Sequence, residues 1–166
     1  QIKFVRFSIS DGIVRISEYT EKAKKIGMPA LALTDLSNVF GAVKFYKSAI
    51  AVGIKPIIGC DVWLENSVSR DQPYRLLVLC QNENGFLNLS ELLSRAYLEN
   101  HYRGRVELKK EWFKKENTIG LILLSGATSG EIGQLIIQGK LDQAHLALQE
   151  WKNILSDRFY LELQRH

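Results

Sequence analysis

The chain has 166 residues, with 22 basic and 18 acidic side chains and a formal net charge of +4. Apolar residues make up 46% of it and charged residues 24%, which excludes a disordered or collagen-like chain. No apolar run approaches the roughly 18 to 20 residues of a membrane span, and the first residues do not resemble a signal peptide. We therefore expect a cytoplasmic globular domain without a membrane partner, for which the mild positive charge permits a nearby nucleic acid but does not require one.

The predicted elements alternate between strands and helices. Short β-rich runs predict six strands, at residues 2–7, 30–34, 55–64, 75–80, 119–124 and 159–163. Apolar side chains at helical spacing predict five helices, at residues 17–26, 39–53, 86–96, 132–139 and 141–155, with Val39, Val43 and Tyr46 on the apolar side of the second. The order β-α-β-α-β-β-α-β-α-α-β predicts an α/β fold with mostly parallel strands. We expect flexible loops at 66–73 and 99–106.

The two cysteines, Cys60 and Cys80, both lie in apolar, strand-like runs. This placement predicts buried, reduced thiols in a cytosolic protein, and no disulfide framework. The chain opens at Gln1 without a methionine, so we expect it to be processed or to be part of a longer gene product.

Carboxylates recur near the ends of the predicted strands. Asp11 follows the first strand and Asp35 the second, whereas Asp61 lies within the third strand and Glu162 within the sixth. Sites in α/β sheets form beyond the carboxyl ends of the strands, so the three aspartates could converge on a Mg, Mn or Zn ion. Alternatively, Asp11 and Asp35 cap turns or the helices that follow. Asp61 is harder to explain in that way, because an unpartnered carboxylate in an apolar strand is costly.

Other site motifs are missing from the sequence or weak. It contains no phosphate-binding P-loop, dinucleotide fingerprint, CxxC, HExxH or GxSxG pattern. His101, His145 and His166 do not follow early strands, and we expect them on the surface. The glycine-rich run 126–133 could hold an anion before a helix, but a strand-to-helix turn is the simpler interpretation. The lysines of 109–115 could approach DNA or form a solvated helix end.

Several runs, in order, carry a resemblance to a known family. They are GMPALALTD at 27–35 with Asn38, GAVKFY at 41–46, GIKPIIG at 53–59, the stretch 75–89, GLILLSG at 120–126 and FYLELQR at 159–165. Together they resemble the N-terminal PHP (polymerase and histidinol phosphatase) domain of bacterial DNA polymerase III alpha subunits. The resemblance implies part of a distorted seven-stranded α/β barrel, of which residues 1–166 form the N-terminal two-thirds. The polymerase palm of such proteins would lie beyond His166, so this chain alone would not copy DNA.

The resemblance also implies a degenerate metal site. Metal-active members of the family open with His-x-His, which is absent from residues 4–8 of this chain. Asp11 and Asp35 match family ligands, Asp61 stands in place of a glutamate, and Arg75 stands in place of a histidine. We therefore expect at most weak binding of Mg, Mn or Zn at Asp11, Asp35 and Asp61, with Arg75 and Glu162 as neighbours. An ion pair from Arg75 to one of these three aspartates would neutralise the pocket.

Two functions follow from the resemblance. The first is a structural and interaction module that supports the rest of the polymerase alpha subunit, docks the proofreading exonuclease subunit and meets DNA only indirectly. The second is a metal-dependent phosphoesterase or pyrophosphatase that uses the PHP pocket. The missing His-x-His segment favours the first function, because a catalytic metal cluster needs many ligands and a positioned water.

Overall fold

The computed structural model describes residues 6–7 and 15–163, and the chain divides into two compact units, residues 1–60 and 61–166. Asp11, His166 and most of the segment 4–8 in which His-x-His was sought lie outside the described part. The elements are β1 (Arg6–Phe7), α1 (Ile16–Lys25), β2 (Ala30–Leu36), α2 (Ala42–Ala51), β3 (Lys55–Leu64), β4 (Tyr74–Cys80), α3 (Glu83–Glu99), β5 (His101–Tyr102), β6 (Arg105–Leu108), β7 (Leu121–Leu124), α4 (Glu131–Ile137), α5 (Leu141–Leu155) and β8 (Phe159–Tyr160).

The first unit packs α1 and α2 beside a parallel strand pair. Strand β1 runs parallel to β2, with Phe7 opposite Leu33. The end of α1 is set by Gly27, which takes a left-handed conformation (φ 71°) and lets the amide of Met28 donate to the carbonyl of Ala23. The core of this unit is Ile16, Ala23, Met28, Leu31, Leu33, Phe45, Ala49 and Ile54.

The helix predicted around Val43 and Tyr46 exists as α2, but its buried side differs from the predicted one. Ala42, Phe45 and Ala49 face the core, whereas Val43 and Tyr46 are exposed. The two sets have the same helical spacing, so periodicity alone could not separate them. Two alanines let the helix backbone approach its neighbours closely, and Phe45 fills the space between.

The second unit contains a mixed set of strands. Strand β7 runs antiparallel to β4 and parallel to β8, while β6 runs parallel to the end of β3. The α/β class is therefore confirmed, but the expectation of mostly parallel strands is not. The connection 65–73 between β3 and β4 holds no helix. It is shorter than the dozen or more residues that a crossover between parallel strands needs.

The segment 99–106, predicted as a flexible loop, forms the hairpin β5–β6. Arg103 and Gly104 both have positive φ, 48° and 77°, as a two-residue hairpin turn of type I′ requires. The other predicted loop, 66–73, contains internal hydrogen bonds. The side chain of Asn66 accepts from the amide of Val68 at 3.1 Å and donates to the carbonyl of Gln72 at 2.9 Å.

A buried ion network ties this loop to the hairpin. Glu107 of β6 is fully buried and accepts from Arg70 at 3.0 Å and from Arg105 at 3.2 Å. Arg70 also lies 3.4 Å from Glu65, and Asn100 donates to Glu65 at 2.9 Å. Removing a partner from a buried charge is destabilising, so these ion pairs link the loop to the hairpin.

Helix α3 is held against the start of β7 by a contact between two glycines. A Cβ atom on Gly85 would lie 1.9 Å from the carbonyl oxygen of Gly120. Gly120 itself has a φ of 77°. The side chain of Asn82 caps the helix by accepting from the amide of Gly85 at 3.0 Å. No other residue type fits at Gly85 without moving backbone.

Candidate functional site

Strand β3 places Asp61 and Trp63 on one side of the sheet. Side chains alternate along a strand, and Cys60, Val62 and Leu64 are buried on the other side. Asp61 is only 2% exposed, although it is a carboxylate in an otherwise apolar strand. It therefore needs a partner of opposite charge.

That partner is Arg75 at the start of β4. Its Nε donates to Oδ1 of Asp61 at 3.0 Å, and its Nη2 donates to Oδ2, so one guanidinium engages both carboxylate oxygens. The guanidinium also lies 4.3 Å from the ring centroid of Trp63. A paired fork of this kind is among the strongest hydrogen-bonded arrangements of side chains. Asp61, one of the three aspartates proposed as partners for Arg75, is thus paired with it.

Trp63 was not predicted as a site residue, although its position two residues after Asp61 could have indicated it. It lies two residues further along β3, which puts both side chains on the same side. A cavity of about 350 Å³ opens beside the pair and is lined in part by Trp63, Tyr74 and Arg75. Burial, and then the negative charge of Glu131, raise the pKa of Tyr74 above its ordinary value.

Asp35 lies in the first unit, within β2 and not after it as predicted, because that strand continues to Leu36. Asp35 is 3% exposed, and its backbone carbonyl oxygen accepts from the thiol of Cys60 at 3.3 Å. Ser37, just after the strand, has a φ of 56°, a left-handed conformation that is uncommon for serine. Among residues 15–163, no three His, Cys, Asp or Glu side chains form a group that could hold a metal. A metal at Asp11, Asp35 and Asp61 stays a prediction.

Glu162 lies beyond the last described strand and not within it. Strand β8 ends at Tyr160, and the amide of Glu162 donates to the hydroxyl of Ser125 at 3.0 Å. Ser125 in turn donates its amide to the carbonyl of Tyr160 at 3.0 Å. These bonds fix the chain after β8 against the end of β7. A role for Glu162 as a pocket neighbour stays a prediction.

The glycine-rich run 126–133 forms a tight turn into α4. Gly126 and Ala127 both have positive φ, 75° and 48°. A Cβ atom on Gly130 would lie 1.6 Å from the carbonyl oxygen of Ser125, and one on Gly133 would lie 2.0 Å from that of Ala127. The glycines are therefore explained by close backbone packing, which favours the turn interpretation over an anion site.

The remaining candidates do not add reactive groups to the site. Cys60 is buried and Cys80 is half-buried, and neither takes part in a disulfide. Burial raises the pKa of Cys80 to about 12, so it is a poor nucleophile at neutral pH. His101 and His145 are exposed, as predicted. No helix within residues 15–163 is long and apolar enough to cross a membrane.

Comparisons with known proteins identify the family. The model of the PHP domain family matches residues 5–166. Relatives named DNA polymerase III subunit alpha include those of Pseudomonas aeruginosa, 42% identical over 159 residues, and Neisseria meningitidis serogroup A, 44% identical over 160 residues. Each match covers 96% of this chain and 14% of the relative, so the chain spans about a seventh of these proteins.

Among solved structures, an amidohydrolase from Chromobacterium violaceum, with bound sulfate and no metal, has a TM-score of 0.44. It is 19% identical, over 55% of this chain and 31% of its own. That similarity is too slight to support an argument about function. The family model, in contrast, spans nearly the whole chain. The chain therefore belongs to the PHP domain family.

Proposed function

We propose that this chain is the N-terminal PHP domain of a replicative DNA polymerase III alpha subunit and works in the cytoplasm. The observation that carries the proposal is the identity of 42–44% with alpha subunits over 96% of the chain. In this proposal the chain forms the first two-thirds of a seven-stranded barrel that later residues complete. Polymerisation of deoxynucleotides belongs to the longer protein.

Within that protein we propose a structural and interaction role for the domain. Both oxygens of Asp61 are engaged by Arg75, and Arg75 is stacked on Trp63. A guanidinium is positively charged at all physiological pH values, so it neutralises this carboxylate without a metal ion. This supports a domain that contributes rigidity and binding surface, including docking of the proofreading exonuclease subunit, with DNA only indirectly involved.

The alternative is a metal-dependent phosphoesterase or pyrophosphatase, for which Asp11, Asp35 and Asp61 would hold Mg, Mn or Zn weakly. Asp35, buried at the end of β2 beside the left-handed Ser37, is the feature that favours it. With Asp61 occupied by Arg75, this reading has fewer carboxylates to offer a metal ion than an active metal centre requires.

The test uses the complete subunit that contains this chain. We expect primer extension with deoxynucleoside triphosphates, and no metal-dependent hydrolysis of bis(p-nitrophenyl) phosphate or pyrophosphate that depends on Asp35. Absence of primer extension would overturn the polymerase assignment. Hydrolysis that requires Mn, Mg or Zn and disappears in Asp35→Asn, but not in the matched surface variant Asp157→Asn, would establish the phosphoesterase alternative. Co-purification with the exonuclease subunit tests the docking role.

A further inference from the structure

The first turn of α3 contains the one Asn-Gly step of the sequence, Asn84–Gly85. This dipeptide is chemically labile in flexible chains, because the backbone nitrogen of the glycine can attack the side-chain carbonyl carbon of the asparagine. Glycine has no side chain to hinder that approach and adopts almost any backbone conformation. The side chain of Asn84 is exposed, so water reaches it and ammonia can leave. The residue types and the exposure of Asn84 therefore suit deamidation.

Deamidation at this step consumes only water. The backbone nitrogen of Gly85 loses its proton and bonds to Cγ of Asn84, while the bond between Cγ and Nδ2 breaks and ammonia leaves with that proton. Water then opens the resulting succinimide ring at one of its two carbonyl carbons. One opening gives aspartate. The other gives isoaspartate, in which the main chain runs through the former side chain and is one carbon longer.

The cap of α3 opposes the first step of this reaction. The amide of Gly85 donates to the side-chain oxygen of Asn82 at 3.0 Å, so the proton that must leave is held in a hydrogen bond. Asn84 lies within the helix, and helical backbone angles turn the next nitrogen away from the side-chain carbonyl of the asparagine. Ring closure therefore requires this turn of the helix to open.

The chain just before β7 holds the same turn closed. A Cβ atom on Gly120 would lie only 2.6 Å from the backbone nitrogen of Gly85. The carbonyl of Gly120 accepts from the amide of Gln81 at 2.8 Å, and the carbonyl of Ile119 accepts from the side chain of Asn88 at 2.8 Å. The first turn of α3 thus opens only if it separates from residues 119–120.

We propose that Asn84–Gly85 is a dormant deamidation site, closed by the Asn82 cap and by the packing on Gly120, which reacts only when the start of α3 opens. The rate of reaction is then reduced by the small fraction of time that the turn is open. Isoaspartate prevents the turn from closing again, because the longer main chain displaces Gly85, where even one methyl group has no room. A reversible opening becomes a permanent loss of the contact between α3 and β7. This inference does not depend on the proposed function.

The test follows the modification of Asn84 in the complete polypeptide that contains this chain. Trypsin releases residues 76–95 as one peptide, since Arg75 and Arg95 flank a stretch without lysine or arginine. Mass spectrometry with electron-based fragmentation distinguishes asparagine, aspartate and isoaspartate in that peptide. In mildly alkaline buffer we expect Asn84 of the folded protein to deamidate at least about tenfold more slowly than Asn84 of the isolated peptide. Equal rates would overturn the proposal.

Variants show whether the cap provides the protection. Asn82→Ala removes the cap, and we expect Asn84 to deamidate about fivefold faster in it than in the natural chain. Two controls should keep the natural rate: Asn82→Asp retains a capping oxygen, and Gln81→Ala changes an exposed side chain outside the cap. A rate in Asn82→Ala no higher than in Gln81→Ala would contradict the role of the cap.

A second measurement on the natural chain guards against an Asn82→Ala variant that fails to fold. The deamidation rate of Asn84 is followed in urea concentrations below the unfolding transition. Urea favours forms that expose more surface, so we expect the rate to rise steadily as the turn opens. A rate that stays constant until the whole protein unfolds would overturn the inference of a local opening.

Discussion

At the scale of single residues, two buried acidic side chains are stabilised in the same way. Asp61 and Glu107 are carboxylates with almost no exposure to solvent, and each is held by arginine. Burying a charge costs several kcal/mol, and good geometry is needed to offset that cost. The need for a partner at Asp61 was predictable from its apolar strand. The identity of that partner was not predictable, because the sequence left three aspartates as possible partners for Arg75. The pairing of β3 with β4 in the structure places Arg75 beside Asp61.

Removing the cation from Asp61 should destabilise the fold without changing metal binding. Arg75→Ala removes the arginine that pairs with a buried carboxylate, and we expect the free energy of unfolding to fall by about 3 kcal/mol. Urea denaturation measures this, and calorimetry with Mg checks that metal uptake is unchanged. Arg75→Lys keeps the charge but loses the paired hydrogen bonds and the stacking on Trp63. Its free energy of unfolding should therefore lie between that of the natural chain and that of Arg75→Ala. Equal stability of Arg75→Ala and the natural chain would refute the role of the pair.

The network at Glu107 allows a matched comparison with an exposed pair. Glu107→Gln removes the buried anion that Arg70 and Arg105 share, and we expect a loss of roughly 1 to 3 kcal/mol from the weakened hydrogen bonds. Hydrogen exchange in 66–73 should quicken, because that loop loses its anchor. Glu99 pairs with Arg95 on the surface of α3, so Glu99→Gln should change stability by less than about 1 kcal/mol. Similar losses in both variants would contradict the importance of burial.

At the scale of elements, long apolar runs were predicted well and short polar ones were not. Strands β3 and β4 and helices α3 and α5 lie close to their predicted positions, because each buries many side chains. The hairpin β5–β6 was taken for a loop, since its strands span only residues 101–102 and 105–108. Its signal was the pair Arg103-Gly104, which suits a tight hairpin turn. The buried side of α2 was wrong because the helix has two apolar sides of equal spacing.

The contact between α3 and the start of β7 gives a prediction about a single methyl group. Gly85→Ala would place a Cβ 1.9 Å from the carbonyl oxygen of Gly120. Since backbone meets backbone there, we expect a loss of roughly 1 to 3 kcal/mol, although alanine favours helices. The matched variant is Gly139→Ala, where φ is 73° but nothing lies within 4 Å of the new Cβ. It should lose about 1 kcal/mol from backbone strain alone. Thermal or urea unfolding of both variants measures the difference, and a Gly85→Ala variant as stable as the natural chain would contradict the close contact.

At the scale of the whole molecule, the resemblance predicted the family, whereas the direction of the strands could be read only from the structure. The α/β class followed from the order of elements. The antiparallel pairing of β4 with β7 did not, because the sequence gives no direct measure of which strands become neighbours. The metal prediction is also unresolved at this scale, since Asp11 lies outside the described residues and Asp35 and Asp61 belong to different units.

The whole chain should lose stability in alkaline solution partly through Cys80. Burial raises its pKa to about 12 in the folded protein, whereas an unfolded thiol has a pKa near 8.5. Between these values the unfolded chain releases a proton that the folded chain keeps, so this contribution is intact below about pH 8.5 and falls as the pH rises toward 12. We expect a loss of roughly 1 to 2 kcal/mol by pH 10. Urea midpoints from pH 8 to 10 measure it. Cys80→Ala should flatten the slope, and an unchanged slope in that variant would refute the assignment.

The Arg75–Asp61 pair has a consequence for how the protein depends on its surroundings. A metal ion can be removed by a chelator, exchanged for a competing ion, or lacking when nutrients are scarce. A guanidinium cannot, because it is covalently part of the chain and is made with it on the ribosome. The charge that neutralises Asp61 is therefore inherited with the gene, and the stability of this pair does not vary with the supply of magnesium, manganese or zinc in the cell.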